Sequence, residues 1–522
     1  MKRRFLALVL SMLLICTFTT GAMAETSSAH IDGELRVLTF ATFENSDPTN
    51  SYTKILPVWA ELQARTGIEI IFDVVPTDQY PVTMSTRLAA GVNLPDIVRL
   101  PTQNPVLYAN SGLIIPLKQL IAEHAPNITA MFERREDVKR TLTAPDGEIY
   151  ALDSIVDARS QVNYADYGIR KDWLEKLGLQ QPDTIDDFYN MLVAFKTQDP
   201  NGNGQQDEIP LTGRRTPTSC GLFEFGWAYG LHLMTSEGWY ADDNNKIIYE
   251  WTDPRMKDYL TEMNKWYSEG LIDPEFLTQD SDTHVAKCIG DIAGADFADF
   301  TMMFPQWNIR MQENFPGARW ESTTPVQGPN GDRIIERESA TAREYYAITR
   351  DCKDPVVAIK WLDYMYGSDE GQNLLVNFGI EGVTYDMVDG KPMLNDTILK
   401  HERGSGLGME MHGMNGPFLR VLKSEMIEQR FMQYEGEIAQ GKITTQYYVA
   451  PFPVILATEE ETTQFASIMA DLNTLREEYI FDFITGRKPI DQFESYVDMM
   501  TTMGIDRAIE IKQQQYDRYM AS

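Results

Sequence analysis

The ten residues Asp199-Pro200-Asn201-Gly202-Asn203-Gly204-Gln205-Gln206-Asp207-Glu208 set an oxygen-bearing side chain at alternate positions, with glycine at the sixth. A hard divalent cation needs such spacing, because a short loop can then turn successive oxygens inward around one centre. Asp199, Asn201 and Asn203 offer side-chain oxygens, Gln205 offers its backbone carbonyl, and Gly204 permits the sharp turn between them. An EF-hand loop would carry a bidentate glutamate at its final position, which here is Pro210. Asp207 and Glu208 supply acids earlier, so the expected Ca2+ site is a shorter loop closed by the carboxylates of Asp199, Asp207 and Glu208. Surface turns share this Asn and Gly content. The coincidence of alternation, glycine and acids favours a structural calcium ion.

No other scarce residues form a comparable pattern. His30, His124, His232, His284, His401 and His412 make no H-E-x-x-H pair and no histidine spacing suited to zinc. There is neither a G-x-S-x-G nucleophile elbow nor a P-loop. Carboxylates are so plentiful that chance pairs are expected, and their number identifies no glycosidase pair. Aromatic residues thicken between Cys220 and Phe315. Most belong to core, but Trp227 and Trp307 lie among Gly, Pro and polar residues, in expected loops where a flat ring can stack on a ligand.

The chain opens with Met1-Lys2-Arg3-Arg4, an apolar run from Phe5 to Phe18, and the small-residue site Ala22-Met23-Ala24. This is the pattern of a secretory signal peptide cleaved after Ala24, so the mature protein is expected to be exported. Lipid anchoring at Cys16 is disfavoured because the preceding Ile15 is not small. Cleavage removes three basic residues and makes the formal net charge of −31 more negative by three. Such a surface disfavours nucleic acid and anionic lipid. Cys220, Cys288 and Cys352 remain, allowing one bridge and one leftover thiol without saying which. With 43% hydrophobic residues, the chain is long enough for two or more domains.

The elements that must position these residues are read from periodicity. Residues 34–42 (ELRVLTFAT) and 68–75 (IEIIFDVV) are expected strands, flanking a helix over 51–65 with Ile55, Trp59 and Leu62 on one face. A second helix carries Tyr80, Met84 and Leu88, and 96–100 (DIVRL) is a third strand. Strand, helix, strand in this order predicts a right-handed parallel unit, and ligands of such sheets lie beyond the carboxyl ends of the strands. Those ends hold Phe43, Glu44 and the Thr102-Gln103 turn. Further on, Thr184 and Asp187 form a capping box for a helix striped by Ile185, Phe188, Leu192 and Phe195. The calcium loop follows directly, and Ile209-Pro210-Leu211 begins a strand. Residues 341–349 (TAREYYAIT) are another expected strand, residues 404–417 a glycine-rich irregular loop, and 459–479 a long helix.

Several segments then bring a family into view. Leu94-Pro95-Asp96-Ile97, Tyr108-Ala109-Asn110-Ser111-Gly112 and Ile115-Pro116-Leu117 resemble the first lobe of family 1 extracellular solute-binding proteins of bacterial ABC importers. Within that family the chain is similar to the large, lipoprotein-type carbohydrate-binding branch that includes alginate-oligosaccharide-binding proteins. The runs from Ile169 to Leu179, Asp199 to Leu211, Asn264 to Pro274, Gly379 to Tyr385 and Phe483 to Gly486 continue the likeness over nearly the whole mature chain.

The resemblance implies an α/β, two-lobe periplasmic-binding-protein-like fold of type II, closing on a sugar with no covalent chemistry. It implies a signal peptide at 1–24, first-lobe segments at 25–158 and 330–395, and second-lobe segments at 159–329 and 396–522. By the same likeness, Asp199, Asn201, Asn203, Gln205, Asp207 and Glu208 hold calcium in the second lobe. The expected partners are an oligosaccharide and the membrane permease subunits of an ABC importer, with the protein itself a monomer. Candidate cleft residues are Phe43, Glu44, Gln103, Tyr164, Trp227, Asp296, Trp307 and Arg343. The alternatives are a secreted glycan-degrading enzyme, or a receptor for peptides or other solutes on the same scaffold.

Overall fold

The structure is a computed structural model, and it describes residues 36–44, 50–101, 104–156, 165–216, 220–299, 303–337, 339–402, 404–414, 416, 419–431 and 443–522. The chain begins with strand β1 (Arg36–Phe43), helix α1 (Pro57–Thr66), strand β2 (Ile68–Val75), helix α2 (Tyr80–Ala90) and strand β3 (Ile97–Arg99). Pro57 opens α1 where its missing N–H would have had no partner, and Gly67, at φ 70°, closes it in the left-handed conformation that glycine adopts without strain. Tyr80, Met84 and Leu88 are the buried stripe of α2, as expected from their spacing. Ile55 departs from expectation: it precedes the proline that starts α1 and is 82% exposed.

Strands β4 (Leu152–Ile155) and β5 (Ala165–Arg170) follow, then helix α3 (Ile185–Thr197) and strand β6 (Ile209–Leu211). The capping box on α3 is present in both directions: Thr184 accepts from the Asp187 N–H, and Asp187 accepts from the Thr184 N–H. Next come helix α4 (Ser281–Ile289), strand β7 (Ala293–Asp299), helix α5 (Met303–Met311), strand β8 (Trp320–Ser322), strand β9 (Thr341–Ile348) and the long helix α6 (Glu459–Thr485).

Two sheets organise these elements. The first has the order β2-β1-β3-β9-β4, with β1 parallel to β2 and β3, and β9 antiparallel to β3 and β4. The second has the order β8-β5-β7-β6, with β7 antiparallel to β5 and parallel to β6. Each sheet has its own core. The first gathers Leu38, Phe40, Ile97, Tyr346 and Trp361, and the second gathers Tyr167, Phe188, Phe225, Trp266 and Phe483. A smaller cluster of Cys288, Trp307, Met311 and Trp320 packs with Ala298 beneath α4 and α5.

The division of the chain between the cores differs from expectation: Ile335, expected in the first lobe, buries in the second core. Ile398, Met409, Met414, Leu419, Met426 and Ile427 bury in the first core, so the last second-lobe segment does not begin at residue 396. The expected irregular loop over 404–417 contains a helix, Ser405–Met411, whose Met409 reaches that core. Met469, Leu472, Ile480 and the terminal Phe493, Tyr496 and Ala508 do join the second core. Cys220, Cys288 and Cys352 are all buried free thiols, so the bridge their number allowed is not formed. Among the described residues no helix is long and apolar enough to cross a membrane.

Candidate functional site

The loop over residues 199–208 leaves α3 and enters β6, so its geometry is set by both. Asp199, at φ 45°, turns its carboxylate back over the loop: Oδ1 accepts from the N–H groups of Gly202 (2.9 Å) and Asn203 (3.1 Å), and Oδ2 from that of Gly204 (3.1 Å). Asn201 Oδ1 accepts from the Asn203 N–H at 3.0 Å, and Asn203 Oδ1 from the Gln205 N–H at 2.7 Å. Gly202 and Gly204, at φ 75° and 76°, permit this winding. Asn203 Nδ2 donates to both oxygens of Asp207, and Asn201 Nδ2 donates to the Asp291 carbonyl, docking the loop on the turn before β7. Lys176 is occupied with the Pro200 carbonyl at 2.7 Å.

Glu208 completes the loop differently. Both its carboxylate oxygens are shielded from solvent and neither has a hydrogen-bond partner among the described residues. Burial, and then the nearby charges of Asp199 and Asp207, push its acid up from the ordinary carboxylate range. A shielded carboxylate with like charges beside it is a costly arrangement even with the Asn201 and Glu208 N–H groups nearby, and a cation removes the cost. Carboxylate and amide oxygens without nitrogen or sulfur donors suit a hard ion such as Ca2+, so the residues present fit the group. The carboxylates of Asp199, Asp207 and Glu208 do not all lie within 4.8 Å of one another, and Asn203 links Asp199 to Asp207 through its backbone N–H and its side-chain amide.

A second arrangement lies at the carboxyl edge of the first sheet, where β1, β3 and β4 end and β9 begins. The Arg99 guanidinium lies 4.3 Å from the Phe43 ring centroid and pairs with Glu344 at 3.0 Å. Arg420 approaches the same Glu344 oxygen at 3.5 Å. Glu44 accepts from the Ser51 hydroxyl at 2.6 Å and from the Tyr52 N–H at 3.3 Å, which fixes the chain leaving β1. In β9 the register shifts between Thr341 and Tyr345, and Arg343 takes φ 59°, unusual for a residue with a Cβ. The buried Asp153 carboxylate of β4 holds this bulge by accepting from the Arg343 N–H (2.9 Å) and the Glu344 N–H (2.8 Å). Burial pushes Asp153 up to about 6.

The expected cleft residues therefore part company. Phe43 and Glu44 at the end of β1 and Arg343 in the bulge of β9 lie along this edge, and Arg99 covers one face of the Phe43 ring. Gln103 and Tyr164 lie outside the described residues. Trp227, 4% exposed, packs edge-on against Tyr167 and Phe297 in a 3-10 helix of the second core, and Trp307, 2% exposed, packs against Trp320 in α5. Neither tryptophan sits in the open loop expected of it, and neither offers a free face. Asp296 is 1% exposed and faces His284, not a cleft. Arg99, Glu344 and Arg420 were missed; the signal for the first two was their place at the carboxyl end of β3 and in the charged start of β9. A groove where the two cores meet was also missed, lined by Asp137, Arg337, Phe452, Tyr516 and Tyr519.

The chain is 26% identical to the fructooligosaccharide ABC transporter substrate-binding protein FusA of Streptococcus pneumoniae serotype 4, over 88% of this chain and 86% of that protein. It is 23% identical to lipoprotein LipO of Bacillus subtilis strain 168, over 97% of this chain and 96% of that one. The crystal structure of alginate-binding protein AlgQ2 without calcium ion superposes with a TM-score of 0.73 at 25% identity, covering 94% of this chain and 99% of that one. These likenesses carry the two-lobe solute-binding fold to this chain. Residues 45–372 match the family model for bacterial extracellular solute-binding proteins, and with that match spanning more than half its length, the chain belongs to this family.

Proposed function

We propose that this protein is the extracellular solute-capturing subunit of a bacterial ABC importer, and that its solute is an oligosaccharide held between the two cores. The carrying observation is the carboxyl edge of the first sheet, where Phe43, Arg99, Glu344 and Arg420 form one chain of contacts, with Glu44 at the end of β1 and Arg343 in the bulge of β9 along the same edge. Forked guanidinium and carboxylate groups match vicinal hydroxyls, and an aromatic face beside them matches the apolar face of a pyranose or furanose. The similarity to a fructooligosaccharide-binding relative over most of both chains supports the same class.

Capture works by population shift. A sugar touching both cores binds the closed arrangement more tightly than the open one, and the importer's permease subunits read the closed form. Capture of this kind needs no covalent chemistry, and in this reading the sugar leaves unchanged. Asp199, Asn201, Asn203, Gln205, Asp207 and Glu208 would hold calcium as a brace between α3 and β6, remote in role from capture. The chain is exported by its leader, cleaved after Ala24, and acts as a monomer at the extracellular face of the membrane or in the periplasm.

The test is a thermal-shift screen of the purified protein against fructo-, alginate-, galacto- and manno-oligosaccharides and a peptide library, with product analysis by chromatography. A glycan that raises the melting temperature and is recovered intact supports the reading. Release of shorter glycans would replace it with an enzyme, and a response confined to peptides would replace the solute.

A further inference from the structure

The reading of histidine spacing alone found no zinc pattern, but α4 places a cysteine where the second histidine would be. His284 and Cys288, four residues apart, lie on one face of α4 and are both buried, and Asp296 of β7 faces them. His284 Nε2 is 3.1 Å from Asp296 Oδ2, Cys288 Sγ is 3.9 Å from His284 Nε2, and Cys288 Sγ is 3.8 Å from Asp296 Oδ2. Among the described residues this is the one group of three such side chains whose ligand atoms all lie within 4.8 Å of one another.

We infer that His284, Cys288 and Asp296 form a binding site for a borderline divalent transition ion of the zinc type, separate from the calcium loop. Tetrahedral Zn2+ with its usual bond lengths to sulfur, nitrogen and oxygen sets ligand atoms roughly 3.3–3.6 Å apart. The three separations here bracket that range, so adjustments of about 0.2–0.4 Å close the site. The donor set matches in kind: a thiolate and an imidazole select zinc-like ions over calcium or magnesium.

An independent observation points the same way. Asp296 is 1% exposed, its Oδ2 serves both neighbours, and its Oδ1 is buried without a hydrogen-bond partner among the described residues. A buried carboxylate oxygen left unmet is uncommon in native proteins. It is available as a fourth donor through bidentate binding. Coordination uses the Cys288 thiolate, whose proton passes to solvent, and the Nε2 lone pair of His284, which leaves the ring proton on Nδ1. The ion would pin α4 to the second sheet beside Trp307 and Trp320, whose rings pack 5.3 Å apart. Because the three side chains are almost wholly enclosed, the ion enters as the lobe folds.

The test uses the full mature chain, unfolded in urea with chelator, then refolded with Co2+ as a spectroscopic stand-in for zinc. The expected result is one Co2+ per chain with a near-ultraviolet sulfur-to-cobalt charge-transfer band, intense visible bands of four-coordination, and quenched tryptophan emission. Zn2+ displaces the signal and Ca2+ does not. Cys288→Ser abolishes the charge-transfer band, and His284→Ala weakens Co2+ binding by more than roughly 10-fold, the lower end of what losing even an outer partner costs a metal site. A Cys220→Ser/Cys352→Ser variant and Glu208→Gln both keep the band. Absence of a sulfur band in the refolded wild-type protein, or its persistence in Cys288→Ser, overturns the assignment. Should Cys288→Ser fail to refold, the wild-type band and its competition by Zn2+ decide alone.

Discussion

Replacing Glu208 with Gln tests the calcium loop by a reversal of sign. Both Glu208 oxygens are shielded and without a hydrogen-bond partner among the described residues, and Asp199 and Asp207 press negative charge on them. In chelator the carboxylate therefore works against the fold, and an unmet buried polar group costs about 1–3 kcal/mol. The amide of Gln removes the charge and can donate to either neighbouring carboxylate, so Glu208→Gln should equal or exceed the wild type in stability without calcium. With calcium the order inverts. An ion that binds only the native state adds about 2.7 kcal/mol at a hundredfold excess over its dissociation constant. At about 2–4 °C per kcal/mol for a unit of this size, wild-type protein should melt roughly 5–10 °C higher in calcium than in chelator. Each tenfold loss of affinity in the variant takes back about 1.4 kcal/mol. The assay is a pair of thermal melts of each protein, in saturating Ca2+ and in EDTA. The pH dependence follows the same logic. A carboxyl raised above its unfolded value favours the fold when protonated, so apo stability should fall as pH rises through the folded value, and calcium should erase that slope. If Glu208→Gln lowered the melting temperature equally with and without calcium, the carboxylate would be serving protein contacts and the loop would not be an ion site.

Three further outcomes follow from the same geometry. Trp227→Ala should cost about 3–5 kcal/mol in urea unfolding, as for a core indole, whereas a tryptophan held open for a sugar would cost little. Asp153 has a folded value of about 6, above its unfolded one, so its contribution to stability is lost as pH rises between roughly 4 and 6. Wild-type protein should accordingly lose about 1 kcal/mol relative to Asp153→Asn between roughly pH 5 and pH 7, measured as the difference of their unfolding free energies. Arg343→Gly should stabilise by about 1 kcal/mol through relief of its left-handed backbone while weakening sugar binding in titration calorimetry. Loss of both stability and binding would place Arg343 in packing instead.

What could be read in the sequence was whatever short range decides. The capping box of Thr184 and Asp187 spans four residues, the winding of the loop over 199–208 needs ten, and the parallel unit of β1, α1 and β2 is fixed by period and by Gly67. The carboxyl edge of the first sheet was half legible, because Phe43 and Glu44 sit where a parallel strand must end. Its charges were not: Arg99 meets Glu344 across 245 residues, and Arg420 meets it across 76. Trp227 and Trp307 were misplaced because polar neighbours in sequence say little about neighbours in space, and the rings of Tyr167, Phe297 and Trp320 that enclose them come from other strands.

The sequence by itself thus determined most of the elements with a clear period, the ordered motifs of the family and the winding of the loop over 199–208, each a matter of contacts within about a dozen residues. Only the tertiary structure decided which aromatics are core, that Ile398, Met409, Leu419 and Ile427 stay with the first core, that the three mature thiols stay unpaired, and that Asp296 meets His284 and Cys288. Burial and charge pairing between distant segments depend on how the two sheets are covered, and no local period encodes that.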